Sequence, residues 1–322
     1  MVMDFHRNIG FLNDIVFIDG NSGAGKSILN PLLPLFENVE IPIWDPIYEE
    51  ISQLESLSKI DTRSAIALLR TQSEFRLYSI MLGRHSNFRY GDVSSIFQNP
   101  HTISNALRVF KKEGSSVLDE IRKKKKILTI GSHFVLSTGS LFFKAFEERL
   151  KIIEMVRHPA SLFNFWVERD WCNRFGKDTR EFTLCLTNND FSVPFFIEEK
   201  SIEEYLSANS EEKIIYSLNC LEEKKQSNLS SLVTTDLEKI LEISFEEYVT
   251  NPKPINDKIS SFLSRSFSNK INSRLKKQNI PRILDFNAIE KEKQKILSLA
   301  ISDDTKNLFS DLCETYESKY HI

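Results

Sequence analysis

The sequence predicts an α/β protein in which a doubly wound parallel sheet of about five strands is covered by helices on both faces. Five short runs of β-branched or apolar residues alternate with longer segments of helical period, a pattern typical of buried parallel sheets. The strands are predicted at residues 14–19, 39–44, 126–131, 151–156 and 237–244. The helices are predicted at residues 102–125, 137–149, 160–171, 210–227 and 253–267, with a last helical stretch at about 287–316.

Composition supports a globular protein and excludes several classes of function. The chain has 322 residues, 41% of them hydrophobic and 27% charged, and its net charge of −3 does not favour nucleic acid or an acidic membrane. We find no apolar run of the roughly 18–20 residues needed to span a membrane, and no apolar core of a signal peptide near the N-terminus. The scattered cysteines show no metal-binding or redox spacing, so we expect reduced thiols and a cytoplasmic location.

The domain organisation follows from the lack of a linker. The chain contains only ten glycines and no stretch rich in glycine and serine. We therefore predict a single domain over residues 1–322, with residues 48–100 as a helical insertion or cap. Ligands of such folds bind beyond the carboxyl ends of the strands, so the residues that directly follow each strand are the candidate site.

The strongest motif follows the first predicted strand and matches the pattern G-x-x-x-x-G-K-[ST] of a P-loop. Glycines let a backbone wrap closely around phosphate oxygens, while a lysine adds positive charge and a hydroxyl adds a further ligand. We expect this loop to bind the phosphates of a nucleotide donor. Its residues are Gly20, Asn21, Ser22, Gly23, Ala24, Gly25, Lys26 and Ser27. Pro31 and Pro34 predict that the helix after the loop kinks or stops near residues 28–30.

Two further residues follow predicted strands at the same edge. His133 comes after the strand at 126–131, and Arg157 directly follows the strand at 151–156. His133 is either a catalytic base, a role for which histidine is the commonest side chain near neutral pH, or a core histidine bonded to a backbone carbonyl. Arg157 is either an anion ligand, which its planar guanidinium suits, or a surface ion-pair partner. Asp45 follows the strand at 39–44 and is either a helix cap or, in a kinase, an acid near magnesium.

These segments together resemble the sulfotransferase family. In that family one strand ends in Lys-Thr-His and a later one in Arg-Asp-Pro, and here the corresponding runs are Gly-Ser-His and Arg-His-Pro. Residues 244–252 and 259–263 are similar to the family's Tyr-Glu-Asp-Leu, Asp-Pro and Ile-x-x-Phe-Leu run. The resemblance covers the sheet from end to end but not residues 48–100.

The resemblance implies a donor, a set of roles and an acceptor class. The donor would be 3′-phosphoadenosine 5′-phosphosulfate, with its 5′-phosphate in the loop and its 3′-phosphate on Arg157. His133 would act as general base, and no metal would be needed. The acceptor would be a hydroxyl or an amine of a carbohydrate or small molecule.

The sequence departs from the family at defined positions, and these keep an alternative open. Asn21 stands where the family has a catalytic lysine, and we expect Lys26, on the other side of the loop, to take that catalytic role. Phe165 stands where the family has a serine, for which Asn164 or Ser161 is the alternative. The intact Lys26–Ser27 pair also fits a P-loop small-molecule kinase that uses ATP and magnesium, with Ser27 on the metal. The lack of an aspartate after the strand at 126–131 counts against that kinase. A GTPase-type switch is disfavoured because neither Asp-x-x-Gly nor Asn-Lys-x-Asp occurs.

Overall fold

The structure is a computed structural model that describes residues 5–92, 94–188 and 190–321. Its strands are β1 (Asp14–Asp19), β2 (Ile43–Trp44), β3 (Ile127–Gly131), β4 (Leu150–Val156), β5 (Cys185–Thr187), β6 (Ser192–Pro194) and β7 (Ile240–Ser244). Five of them form a parallel sheet in the order β2-β3-β1-β4-β7. The parallel five-stranded sheet predicted from the sequence is therefore confirmed. The antiparallel pair β5–β6 was not predicted.

The helices surround this sheet and complete the α/β arrangement. They are α1 (Ile47–Ser56), α2 (Thr62–Met81), α3 (Thr102–Ala106), α4 (Ser115–Lys124), α5 (Leu141–Phe146), α6 (Pro159–Glu168), α7 (Trp171–Arg174), α8 (Ile202–Ser207), α9 (Ser210–Ser231), α10 (Thr234–Leu237), α11 (Phe245–Thr250), α12 (Pro252–Leu263), α13 (Ile271–Lys277), α14 (Phe286–Leu297) and α15 (Asp303–Tyr320). No helix among the described residues is both long and apolar enough to cross a lipid bilayer.

Side chains alternate between two hydrophobic cores, one on each face of the sheet. Ile15 and Phe17 of β1 pack into the core that α1, α2 and α5 cover. Val16 and Ile18 point the other way, into the core that α6, α11 and α12 help to form. Part of the predicted insertion, helices α1 and α2, thus contributes buried residues to the cover of one face. The division into one domain with a cap at 48–100 remains a prediction.

Several predicted boundaries were wrong, and each has a local cause. The second strand shortens from 39–44 to β2 because the register slips: Val39 bridges Ile127, whereas Ile43 pairs with Ile130. The extra residue falls in a stretch that includes Pro42, which has no N–H to donate to the ladder.

The predicted helices also break where the chain leaves helical geometry. The segment 102–125 divides into α3 and α4, because Gly114 with φ of 129° precedes α4. The segment 137–149 contracts to α5. The stretch 287–316 is two helices, and Ser302 caps the second by accepting a hydrogen bond from the amide of Thr305 at 3.2 Å.

Candidate active site

The loop after β1 has the sharp backbone turns expected from its glycines, but no α-helix follows it. Gly20, Gly23 and Gly25 have φ values of 124°, 90° and 95°. Lys26–Ile28 form a single 3₁₀ turn, and the chain then continues through turns to a second 3₁₀ segment at Leu33–Leu35. The predicted stop near residues 28–30 is confirmed. A turn this short contributes little helix dipole, so an anion at the loop would interact mainly with the loop amides and with Lys26.

The protein itself packs closely against the three glycines. A Cβ atom on Gly20 would overlap the backbone oxygen of Met155, which lies on the neighbouring strand β4. A Cβ atom on Gly23 would overlap the ring of Phe165, and one on Gly25 would overlap the ring of Phe245. These glycines are therefore required by contacts within the protein as well as by any ligand.

Side chains satisfy the carbonyl oxygens of the loop and leave most of its amides free. The Lys26 ammonium donates to the oxygen of Gly20 and, at 3.0 Å, to that of Asn21. Trp166 Nε1 donates to the oxygen of Ser22 at 2.8 Å, and Arg157 donates to that of Gly23 at 3.0 Å. Within the described part of the chain, no protein acceptor is bonded to the amides of Gly23, Gly25, Lys26 and Ser27. This arrangement offers donors to an anion.

The electrostatic state of Lys26 is set by its surroundings. Burial lowers the pKa of the Lys26 ammonium to about 8, and the nearby carboxylates of Asp19 and Glu49 only partly oppose this shift. Desolvation penalises the charged form of a lysine, whereas an anion bound at the loop would favour it. The protonation of Lys26 and the binding of an anion at the loop would therefore depend on each other.

His133 is held by a buried glutamate that the sequence analysis did not identify. Glu49 Oε1, on α1, accepts hydrogen bonds from the backbone amide of His133 at 2.7 Å and lies 3.0 Å from its Nδ1. An ionised carboxylate can only accept, so a neutral His133 ring bonded to Glu49 carries its proton on Nδ1 and keeps the lone pair on Nε2. His133 Nε2 has no hydrogen-bond partner in the described residues. The carboxylate–imidazole pair is the arrangement that prepares a histidine to accept a proton.

Asp19 fixes the turn that carries His133. Its Oδ1 accepts from the hydroxyl of Ser132 at 3.0 Å, and its Oδ2 accepts from the amide of Leu136 at 2.9 Å. Asp19 is buried at the end of β1, directly before the loop. One residue thus ties the loop after β1 to the turn after β3, which places the loop and His133 beside each other.

Arg157 lies against the loop, as its position after β4 predicts. Besides its bond to Gly23, its guanidinium stacks on the ring of Phe245 at 4.4 Å from the centroid. Its Nε is buried and has no hydrogen-bond partner in the described part of the protein. Burial also lowers the pKa of Arg157. Arg282 approaches the same ring at 5.9 Å, so two guanidinium groups lie near this part of the loop.

Asp45 has partners that suit the structural reading. It forms an ion pair with Arg76, and its Oδ1 accepts from the amide of Ile47 at 3.4 Å, at the start of α1. Its carboxylate is thus already neutralised by a guanidinium, which does not suit an acid that holds magnesium.

The loop, His133 and Arg157 open onto one cavity of about 470 Å³. Gly20, Asn21 and Ala24 line it from the loop, and helices α9 and α15 close its opposite side. This volume is within the range of small-molecule sites. The structure therefore brings together the three groups that the sequence placed at separate strand ends, although their roles remain predictions.

Comparison with known proteins supports the fold. No protein-family model matches the sequence, and a search of curated proteins finds no relative. Among solved structures, a sulfotransferase domain from the curacin biosynthetic pathway matches with a TM-score of 0.50 and 14% identity, covering 94% of this chain and 98% of that one. The chain therefore has the fold of a sulfotransferase domain.

Other solved sulfotransferases match less closely. The domain from the Synechococcus PCC 7002 olefin synthase gives a TM-score of 0.47 at 12% identity over 98% of both chains. A sulfotransferase from Alicyclobacillus acidocaldarius gives 0.39 at 14% identity over 95% of both chains. At such identities the fold alone is comparable, and the chemistry must be argued from the side chains of this protein.

Proposed function

We propose that this protein transfers a sulfuryl group from 3′-phosphoadenosine 5′-phosphosulfate to a hydroxyl or an amine of a carbohydrate or small-molecule acceptor. The observation that carries the proposal is the pair formed by His133 and Glu49. His133 lines the cavity that also contacts the loop of residues 20–27, in a fold shared with a sulfotransferase domain.

The residues around the loop fit the anionic groups of this donor. The free amides of Gly23, Gly25, Lys26 and Ser27 suit the 5′-phosphate, because backbone donors and a lysine can surround its oxygens. Arg157 suits the 3′-phosphate, since its buried Nε has no partner and a guanidinium forms strong charge-assisted hydrogen bonds to phosphate. The donor supplies an activated sulfuryl group, and the protein needs no metal to hold it.

In this proposal His133 is the general base. Its Nε2 takes the proton from the attacking hydroxyl or amine as the new bond to sulfur forms. Glu49 stabilises the resulting imidazolium through Nδ1. The bond from sulfur to the phosphate oxygen breaks at the same time, and Lys26 with the loop amides stabilises the charge that the leaving oxygen gains. Each proton and charge in this step has a named group of the chain to receive it.

Donor choice is the sharpest test of the proposal. We would measure thermal shifts with 3′-phosphoadenosine 5′-phosphate, ADP and ATP, each with and without magnesium. A ligand at 100 times its Kd stabilises the native state by about 2.7 kcal/mol. We expect the bisphosphate to stabilise the protein without magnesium, and Arg157→Ala to weaken its binding about tenfold or more, because charged hydrogen bonds are lost.

Arg180→Ala is the matched control, because that exposed arginine pairs only with Asp178 among the described residues. It should bind the bisphosphate like the wild type. Stabilisation only by ATP with magnesium would overturn the proposal in favour of a kinase. The cytoplasmic location likewise remains a prediction and would be checked by fractionation.

A further inference from the structure

A row of carboxylates crosses three neighbouring strands at the edge of the sheet that carries the candidate site. Asp19 of β1 is paired in register with Glu154 of β4, and Glu154 is paired with Glu242 of β7. Because residues paired in a parallel sheet project to the same face, the three side chains line up on one side of it. All three line the 470 Å³ cavity described above.

Four of the six carboxylate oxygens in this row have a protein partner among the described residues, and only one of the other two is fully buried. Asp19 is bonded to Ser132 and Leu136, and Glu242 pairs with Lys319 at 2.6 Å. Glu154 Oε1 accepts from Lys225 of α9 at 3.0 Å. Glu154 is only 3% exposed, and its Oε2 is buried with no hydrogen-bond partner in the described residues. Buried carboxylate oxygens are costly without a donor, so this oxygen indicates a missing partner.

The remaining wall of the cavity shows what kind of partner would fit. Six carboxylates and three cationic side chains line it, a formal excess of three negative charges. Leu136, Leu162 and Leu218 add an apolar surface. A phosphate-bearing donor would be repelled by the carboxylate row, which leaves this part of the cavity to the other substrate.

We infer that the cavity binds an acceptor carrying a protonated amine, whose ammonium donates a hydrogen bond to Glu154 Oε2 while its reacting group lies at His133. The aliphatic part of such a molecule would lie against the leucines. The role of this molecule as an acceptor rests on the proposed function, whereas the cation site itself rests on the carboxylate row and does not need a donor.

The test uses n-octylammonium and the uncharged n-octanol as matched probes, with binding measured by calorimetry on the full chain. Wild type should bind octylammonium about tenfold or more tightly than octanol, since a charged hydrogen bond is gained. Glu154→Gln should remove that preference. Glu223→Gln, which changes the charge of an exposed glutamate on the same cavity, should keep it. Equal affinity of the two probes for wild type would overturn the inference.

A second variant guards against misfolding of Glu154→Gln. Gln226→Lys places a cation at an exposed position on the same cavity, so it should weaken the binding of octylammonium but not that of octanol. With the sulfuryl donor present, 8-amino-1-octanol should be sulfated with a higher kcat/KM than 1-octanol, and Glu154→Gln should abolish the difference. Selective octylammonium binding without any bisphosphate binding would contradict the proposed function and leave the cation site standing. Bisphosphate binding without amine selectivity would contradict the cation site and leave the proposed function standing.

Discussion

Glu49 accepts from both the backbone amide and the imidazole of His133, at 2.7 Å and 3.0 Å, and so fixes the position and the tautomer of the ring together. A carboxylate that held only the ring would leave the turn free to move. The double contact means that Glu49 acts on the reaction through His133, as a positioning residue in the proposed transfer.

His133→Ala should lower kcat by roughly 10²–10⁴-fold, the usual contribution of a general base. Donor affinity should change little, because the loop and Arg157 hold the donor. The measurement is turnover with a confirmed acceptor, together with the Kd of 3′-phosphoadenosine 5′-phosphate. An unchanged kcat would assign His133 to the structural reading.

Glu49→Gln should lower kcat by about 10²-fold or more and should change its pH dependence, because the imidazolium loses its carboxylate. The double variant Glu49→Gln/His133→Ala should be no slower than His133→Ala alone, since the two residues act as one unit. Additive losses in this cycle would show that Glu49 has a role independent of His133.

Donor binding should weaken as Lys26 loses its proton. Burial lowers the pKa of Lys26 to about 8, so in the free protein its positive charge is lost through this pH. Above pH 8, binding an anion requires proton uptake, and the Kd should rise by up to about tenfold per pH unit. Calorimetry of the bisphosphate from pH 6.5 to 9.5 would check this. Lys26→Met should bind the bisphosphate more weakly, and its Kd should not rise with pH. If the Kd of Lys26→Met rose in parallel with that of the wild type, another titrating group would be responsible.

Gly20→Ala should destabilise the fold by about 2–5 kcal/mol, because Gly20 combines a φ of 124° with overlap of a new Cβ on the backbone oxygen of Met155. A backbone oxygen in the sheet cannot move aside as a flexible side chain can. Gly91→Ala is the control: its Cβ would meet nothing within 4 Å, and it should change stability by less than about 0.5 kcal/mol. Urea unfolding measures both, and equal effects would show that Gly20 tolerates a side chain.

The sequence predicted the parts of the site that depend on short-range patterns. Strand β1 lies at the predicted residues 14–19, because a short continuous apolar run that ends in a glycine-rich loop is compatible with few structures other than a buried strand. His133 and Arg157 were placed at one edge because the carboxyl ends of parallel strands share it. Predicting those positions required only knowing where each strand ends in the sequence, not how the side chains pack.

Other parts depend on contacts that no local pattern records. Glu49 and His133 are 84 residues apart, and a glutamate on an ordinary helix gives no signal of its partner. The sequence marks Phe165 as a departure from a serine, but only the structure shows that its ring fills the space beside Gly23. Glu154 lay within a predicted strand, and only the register with β1 and β7 showed that it belongs to a carboxylate row.

Glu154 should make the stability of the folded protein depend on pH. Burial raises the pKa of Glu154 to about 7, although Lys225 on α9 opposes the shift; Glu242 on β7 and Asp19 on β1 add to it. Tyr320 on α15 also lies near this group. The unfolded chain loses this proton near pH 4.5, so between pH 4.5 and 7 the folded state binds more protons than the unfolded state. The contribution of Glu154 to stability should therefore fall as the pH rises through this window.

We expect Glu154→Gln to gain stability relative to wild type by about 1–3 kcal/mol between pH 5 and pH 8, because glutamine carries no proton to lose and 2.3RT per pH unit is about 1.4 kcal/mol. Comparing the two proteins by urea unfolding at each pH cancels the other titrating groups, which both share. For Glu223→Gln, at an exposed position beside the same cavity, the free energy of unfolding should change with pH as it does for the wild type. A constant difference between Glu154→Gln and wild type from pH 5 to 8 would mean that Glu154 is already ionised at pH 5. Its unpartnered oxygen would then be a carboxylate stabilised by Lys225 alone.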